Sequence, residues 1–173
     1  MKEFSLDEYV IWVEFDENTS DFLEKKCKEL DDNCIPEGIR PPHMTITFVK
    51  TAFENKLIEY VERFMKTHSV DMKLNSIGAF VGGVLFYEPK ADEGLLRFQR
   101  EFCEGVSEFA ELSWDLYYPG NWTPHIALTG LLDEEKAARA FKIMLRDYNP
   151  GKLVIKKVLI RNSTGDTVLD LDI

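Results

Sequence analysis

The sequence predicts an α+β protein of two similar lobes. Three observations carry this: β-branched and aromatic runs alternate with segments of helical apolar periodicity, strand followed by helix occurs twice in a matched form, and both occurrences open on a Pro-His pair. Shifting the chain by 82 positions lays His43 on His125 and Lys50 on Leu132, with a helix cap directly afterwards in both copies, which a weak internal duplication explains most simply. With 173 residues, 45% of them hydrophobic, the chain can bury one substantial core, so a single domain over 1–173 is expected.

The elements follow in order. Residues 9–15 (YVIWVEF) read as a strand, and Ser20 is expected to cap a helix running to about Asp32. Pro36, Gly38, Pro41 and Pro42 punctuate a turn before the first histidine strand at 43–49. Thr51 and Glu54 stand at capping-box spacing ahead of an apolar face of Leu57, Tyr60, Val61 and Phe64. His68, at the end of that helix, is read as structural, a cation complementing the helix dipole. Residues 72–77 and 84–87 are strands joined through Gly82-Gly83. The next helix buries Leu95, Phe98, Phe102, Val106 and Phe109, while Glu101, Glu104, Glu108 and Glu111 make a solvated face rather than a metal site. The second histidine strand spans 125–131, Asp133 caps a helix whose buried face is Ala137, Phe141, Met144 and Leu145, and strands at 153–160 and 167–171 close the chain around a turn at 162–166.

Charge and composition exclude several functions. A net charge of −10 opposes long duplex nucleic acid, whose affinity comes from Lys and Arg neutralising phosphates, but permits a small phosphorylated ligand held by a few local donors. Cys27, Cys34 and Cys103 are odd in number and lack zinc spacing, so neither a disulfide framework nor a zinc module is expected. Lys2, Glu3, Asp7 and Glu8 stand where a leader would have a basic stretch and an apolar core, so none is expected, and no apolar run approaches the ~20 residues that span a bilayer. A cytoplasmic monomer without membrane partner, cofactor or metal is the expectation.

The chemistry lies in the two histidine strands. Alternation puts His43, Thr45 and Thr47 on one face and Met44, Ile46 and Phe48 on the other; in the second copy His125, Ala127 and Thr129 share a face. Two imidazoles can divide the proton transfers of phosphodiester cleavage, because each titrates near neutral pH, and a hydroxyl two residues on can hold the non-bridging oxygens. Neither step requires a metal.

The strings Pro42-His43-Met44-Thr45-Ile46 and Trp122-Thr123-Pro124-His125-Ile126-Ala127-Leu128, their separation, and the helix after each resemble the 2H phosphoesterases, which include LigT-like RNA ligases and cyclic phosphodiesterases. The resemblance covers nearly the whole chain. It implies two pseudo-symmetric lobes, antiparallel sheets flanked by helices around a central cleft, and metal-independent action on 2′,3′-cyclic or 2′-5′ phosphodiesters of nucleotides or RNA ends. His43 and His125 are then the catalytic pair and Thr45 a phosphate holder. The family has Thr or Ser two residues after each histidine, and here the second copy has Ala127. Thr129, one step further on the same predicted face, is the expected substitute. A catalytically weak or inactive nucleotide-binding module is the alternative that Ala127 raises, and a metal-dependent hydrolase a third. Trp122, next to the second motif, is expected to stack on a base; Tyr118 and Arg40 are secondary candidates.

Overall fold

The computed structural model describes residues 7–148 and 151–173. The elements in chain order are β1 (Asp7–Phe15), α1 (Glu17–Asp32), β2 (Met44–Thr51), α2 (Glu54–Thr67), β3 (Met72–Ala79), β4 (Leu85–Pro89), α3 (Glu93–Val106), β5 (Glu111–Ser113), a short 3-10 turn (Asp115–Tyr117), β6 (Ile126–Ala127), α4 (Glu134–Leu145), β7 (Lys152–Leu153), β8 (Ile155–Asn162) and β9 (Thr167–Asp172). Among the described residues every strand pairing is antiparallel, and eight strands run in one path, β7-β3-β4-β6-β2-β1-β8-β9, with β5 added beside β2, so the expected α+β class holds while the two sheets are halves of one.

The halves meet at β2. One edge of that strand is covered by β1, whereas the other is divided: β5 takes Phe48, Val49 and Lys50, and β6 pairs only through Met44 and Ile126. A junction this short lets the halves part on either side, which opens a cleft where the two histidine segments begin. The helices cover the opposite face: α2 packs on α3 and reaches β9, while α4 packs on β3, β4 and α1.

Specific polar links fix this packing. The Tyr60 hydroxyl on α2 donates to the Phe102 carbonyl of α3 at 2.8 Å, and the Tyr87 hydroxyl on β4 donates to the Met144 carbonyl of α4 at 2.8 Å. Lys26 of α1 is wholly buried; its ammonium donates to Glu29 at 2.9 Å and to the Ile143 carbonyl at 3.3 Å. A buried amine persists only when so partnered; the Ile143 carbonyl, in the last turn of α4, accepts the Arg146 N–H at 3.1 Å and has a second lone pair for Lys26.

Several local expectations are corrected. Asp16, not Ser20, caps α1, accepting the Thr19 N–H at 3.1 Å, while the Ser20 hydroxyl turns back to the Phe15 carbonyl. Thr51 and Glu54 form no capping box. Thr51 accepts the Phe53 N–H and donates to the Phe109 carbonyl, both at 3.1 Å, and Glu54 accepts the Tyr9 hydroxyl. Of the expected face of α4, Met144 is buried and Ala137 packs half-buried on the core, whereas Phe141 and Leu145 are exposed and Ala140 and Ile143 complete the buried side. Phe109 lies beyond α3 yet still packs on the core.

The second histidine segment is the largest departure. It forms a ladder strand only at Ile126–Ala127 and then runs extended between two neighbours. The Leu128 N–H donates to the Leu85 carbonyl at 3.0 Å, its carbonyl accepts the Gly38 N–H at 3.2 Å, and the Gly130 N–H donates to the Pro36 carbonyl at 2.8 Å. Glycine suits so close an approach: a Cβ on Gly38 would stand 3.1 Å from the Leu128 carbonyl carbon, and one on Gly130 3.0 Å from the Glu37 carbonyl oxygen, so the facing backbone would have to give by a few tenths of an ångström. Among the described residues no helix is long and apolar enough to cross a membrane.

Candidate active site

Both histidines sit one residue before their strands and line one cleft of about 610 Å³ with Trp12, Thr45, Phe48, Trp114 and Tyr117. Their local geometry is duplicated. The Nδ1–H of His43 donates to the Pro41 carbonyl at 2.8 Å, and that of His125 to the Thr123 carbonyl, also at 2.8 Å. A carbonyl oxygen only accepts, so Nδ1 carries the hydrogen in both rings and Nε2 is the nitrogen left to exchange a proton. The Met44 and Ile126 pair lies between the two histidines; continuing that antiparallel register one residue each way sets Thr45 opposite His125 and His43 opposite Ala127. The sequence duplication thus becomes a local two-fold relation about the centre of the cleft.

A β-bulge decides which side chains face it. Ile11 pairs with Thr47 but Trp12 pairs with Thr45, so Ile46 is an extra residue with no partner on β1. Alternation therefore reverses after Thr45. Phe48, not Thr47, joins the cleft, while Thr47 is fully buried beside Cys103 on the helix side. Strict alternation through 43–47 is corrected accordingly. The bulge is held by Gln99 of α3, whose buried amide donates to the Ile46 carbonyl at 3.3 Å and to the Tyr117 carbonyl at 2.9 Å. Nothing in the local sequence marks Gln99 for this: its partners stand 53 and 18 residues away.

The two imidazoles differ in their surroundings. His43 stacks on Trp12 with ring centroids 4.2 Å apart, and the Arg161 guanidinium, on the neighbouring strand, lies 4.6 Å from the same Trp12 ring. Arg161 enters no ion pair among the described residues, and its Nε is buried without a hydrogen-bond partner there. His125 is instead walled by neutral rings: Phe80 meets it edge to face at 4.7 Å, with Phe86 at 5.5 Å and Tyr117 at 6.2 Å. Burial lowers the pKa of both. His43 falls to about 4, through burial first, opposed by the Pro41 bond, and lowered further by His125 and Arg161. His125 is lowered by burial against the Thr123 bond. Both rings are therefore neutral at pH 7 in the free protein, and the influence of one on the other makes simultaneous protonation unfavourable.

The remaining expected residues separate. Thr45 lines the cleft, and its hydroxyl neighbours the Tyr117 phenol, offsetting part of the rise that burial imposes on that phenol's pKa. Thr129 also borders the cleft, but its hydroxyl is engaged within the chain, accepting the Leu85 N–H at 2.9 Å and donating to the Gly130 carbonyl at 3.0 Å. Trp122 is outside the cleft lining. It is buried, and its indole N–H donates to the Thr45 carbonyl at 3.0 Å, so it fixes the first motif rather than presenting a face to a ligand. Tyr118 donates to the Leu112 carbonyl, and Arg40 binds Asp31, Glu37 and the Cys27 thiol. Trp12, Phe48, Trp114 and Tyr117, aromatic residues with no motif around them, supply the walls instead. Among the described residues no group of three or more His, Cys, Asp or Glu is arranged to hold a metal ion.

This fold is similar to that of E. coli LigT in its apo form, with a TM-score of 0.59 at 11% identity over 97% of this chain and 96% of that one. E. coli LigT complexed with 3′-AMP also gives 0.59 at 11% identity over 96% of each chain, and TT0787 of Thermus thermophilus gives 0.55 at 15% identity over 95% of this chain and 97% of that one. No curated protein matches the chain in sequence. The 2′-5′ RNA ligase superfamily matches residues 27–167, an interval that holds both histidines and all of β2 and β6. The chain belongs to the 2′-5′ RNA ligase superfamily, in keeping with the 2H phosphoesterase resemblance of its two motifs.

Proposed function

We propose that this chain is a metal-independent phosphodiesterase acting on 2′,3′-cyclic or 2′-5′ phosphodiester bonds of nucleotides or RNA ends, with His43 and His125 as general base and general acid. One observation carries the proposal: two histidines with the same Nδ1–H to carbonyl bond, related by a local two-fold, line a single cleft. The 3′-AMP held by E. coli LigT supports a small nucleotide as the ligand class.

In hydrolysis of a cyclic phosphate, the neutral imidazole takes a proton from water through Nε2 as the water oxygen bonds to phosphorus. The protonated imidazole gives its Nε2 proton to the ribose oxygen as the phosphorus–oxygen bond breaks. The free site needs one proton to be ready for this, and a phosphodiester anion supplies the negative charge that raises an imidazole pKa on binding. Joining 2′-5′ ends uses the same groups in reverse. Thr45 donates to a non-bridging oxygen; Ala127 leaves the related position without a donor.

Purified protein with 2′,3′-cyclic nucleotides and 2′-5′ oligoadenylates tests this. Turnover that survives EDTA and falls by about 10²–10⁴-fold in both His43→Ala and His125→Ala is expected. Turnover abolished by EDTA and restored by a divalent ion would refute it. A second reading, a nucleotide-binding module with little turnover, is favoured by Ala127 together with the engaged Thr129 hydroxyl, and binding without turnover in this assay would select it.

A further inference from the structure

Three hydroxyls line the cleft, those of Thr45, Tyr117 and Thr129. The Thr129 hydroxyl is taken up by the Leu85 N–H and the Gly130 carbonyl, and Ala127 offers only a methyl group. A phosphate between the histidines presents two non-bridging oxygens, yet the two motifs leave it one hydroxyl, Thr45. The Tyr117 phenol is the remaining donor of this kind in the cleft.

Tyr117 is fixed everywhere except at its oxygen. Its N–H donates to the Trp114 carbonyl at 2.9 Å, and its carbonyl accepts the Gln99 amide at 2.9 Å. The ring meets Phe48 edge to face at 4.8 Å and lies 6.2 Å from the His125 ring. Gln99 also donates to the Ile46 carbonyl, so one side chain positions both Tyr117 and the strand that carries Thr45. Tyr9, Tyr60, Tyr87 and Tyr118 each donate to a carboxylate or a backbone carbonyl. Among the described residues the half-buried Tyr117 phenol has no acceptor of either kind; its polar neighbour is the Thr45 hydroxyl, which stands opposite His125 in the register extended from Met44 and Ile126. A buried phenol ordinarily finds a partner. Burial raises its pKa, so it keeps its proton at pH 7 and acts as a donor.

We propose that Tyr117 is a further catalytic residue, its phenol donating to a non-bridging oxygen of the reacting phosphate beside Thr45 and so supplying the second hydroxyl that Ala127 does not. The proposal deepens the functional reading above and rests on it for the reaction. The hydroxyl pair is then rebuilt from one side of the cleft, where a two-fold site would draw one from each motif. No proton leaves Tyr117: the histidines carry both transfers, and the phenol's bond tightens as charge grows on the phosphoryl oxygens.

Tyr117→Phe tests this, because it removes the oxygen and keeps the ring against Phe48. On a 2′,3′-cyclic nucleotide kcat should fall by about 10²-fold with KM little changed, the pattern of a bond made in the transition state. The melting temperature should hold, since the phenol has no acceptor in the fold, and the pH profile should keep its limbs, since a neutral donor does not titrate there. Calorimetric titration reads the same bond without turnover: the variant should bind uridine–vanadate, a mimic of the pentacoordinate phosphorus, about 10²-fold more weakly, and uridine 3′-phosphate nearly as well as the wild type does. An unchanged kcat, a rise in KM alone, a lowered melting temperature, or equal weakening of the two ligands would each overturn the donor; turnover in both proteins at one rate would do so while leaving the reaction standing. A wild type that turns over no phosphodiester yet binds uridine–vanadate through Tyr117 would uphold the donor and refute the reaction. Binding of neither ligand by the wild type would overturn both.

Discussion

Replacing His43 by Asn isolates the electrostatic state of the site. The Asn amide keeps a donor near the place of Nδ1, so the bond to the Pro41 carbonyl can persist while the titrating ring is removed. In the folded chain His43 protonates at about 4, and in the unfolded chain near the ordinary value of about 6.5. Because the folded value is the lower one, the unfolded state binds more protons between the two. Stability from this residue is therefore intact above pH 6.5 and is lost as pH falls towards 4. That gap corresponds to about 3 kcal/mol in full and about 2.5 kcal/mol by pH 4.5. Urea unfolding of the wild type and His43→Asn at pH 7.5 and pH 4.5 measures it. Carboxylates titrate in both proteins and cancel, and the lost stacking on Trp12 shifts the variant at both pH values alike. The wild type should lose about 2–3 kcal/mol more than the variant between the two conditions. Equal losses would refute the neutral, desolvated His43 on which the proton-transfer scheme depends.

The same geometry yields further expectations. Gln99→Leu leaves the buried Ile46 and Tyr117 carbonyls without their donor, a cost of about 2 kcal/mol, seen by calorimetry as a melting temperature lowered by about 4–8 °C; an unchanged value would show that the bulge holds itself. Ala127→Thr returns a hydroxyl opposite His43, and steady-state kinetics on a 2′,3′-cyclic nucleotide should give kcat/KM raised by about 10-fold or more, whereas a lowered value would mean the site has no use for a second hydroxyl. The pH profile of kcat/KM should turn down on its alkaline side below pH 6.5, because both histidines are lowered. Arg161→Met should move the limb near pH 4 upward, since removing the cation beside Trp12 makes protonated His43 less unfavourable; an unmoved limb would take Arg161 out of the account.

What is legible in the sequence is what local pattern encodes. The strand-helix order follows from apolar periodicity, and the paired histidines stand out because Pro-His and a following helix recur at a fixed offset. What is hidden depends on contacts between distant segments. The bulge at Ile46 has no glycine or polar signal of its own and is held by Gln99 from another element, so strict alternation assigns Thr47 and Phe48 to the wrong faces. The place of Trp122 beside His125 points it at the cleft, yet its indole N–H finds the Thr45 carbonyl 77 residues away. Thr129 lies where alternation puts it, but Leu85 claims its hydroxyl. Trp12 and Arg161 carry no local signal, because a strand aromatic and a strand arginine are ordinary until β1 and β8 set both beside His43.

The central claim, that His43 and His125 act together on one phosphodiester, is tested most directly by a crystal structure with an uncleavable 2′,3′-cyclic phosphate analogue. Its phosphorus is expected between the two rings, with a phosphate oxygen or the attacking-water position within about 2.6–3.2 Å of each Nε2. An analogue bound with only one imidazole in reach, or seated away from both, would contradict it.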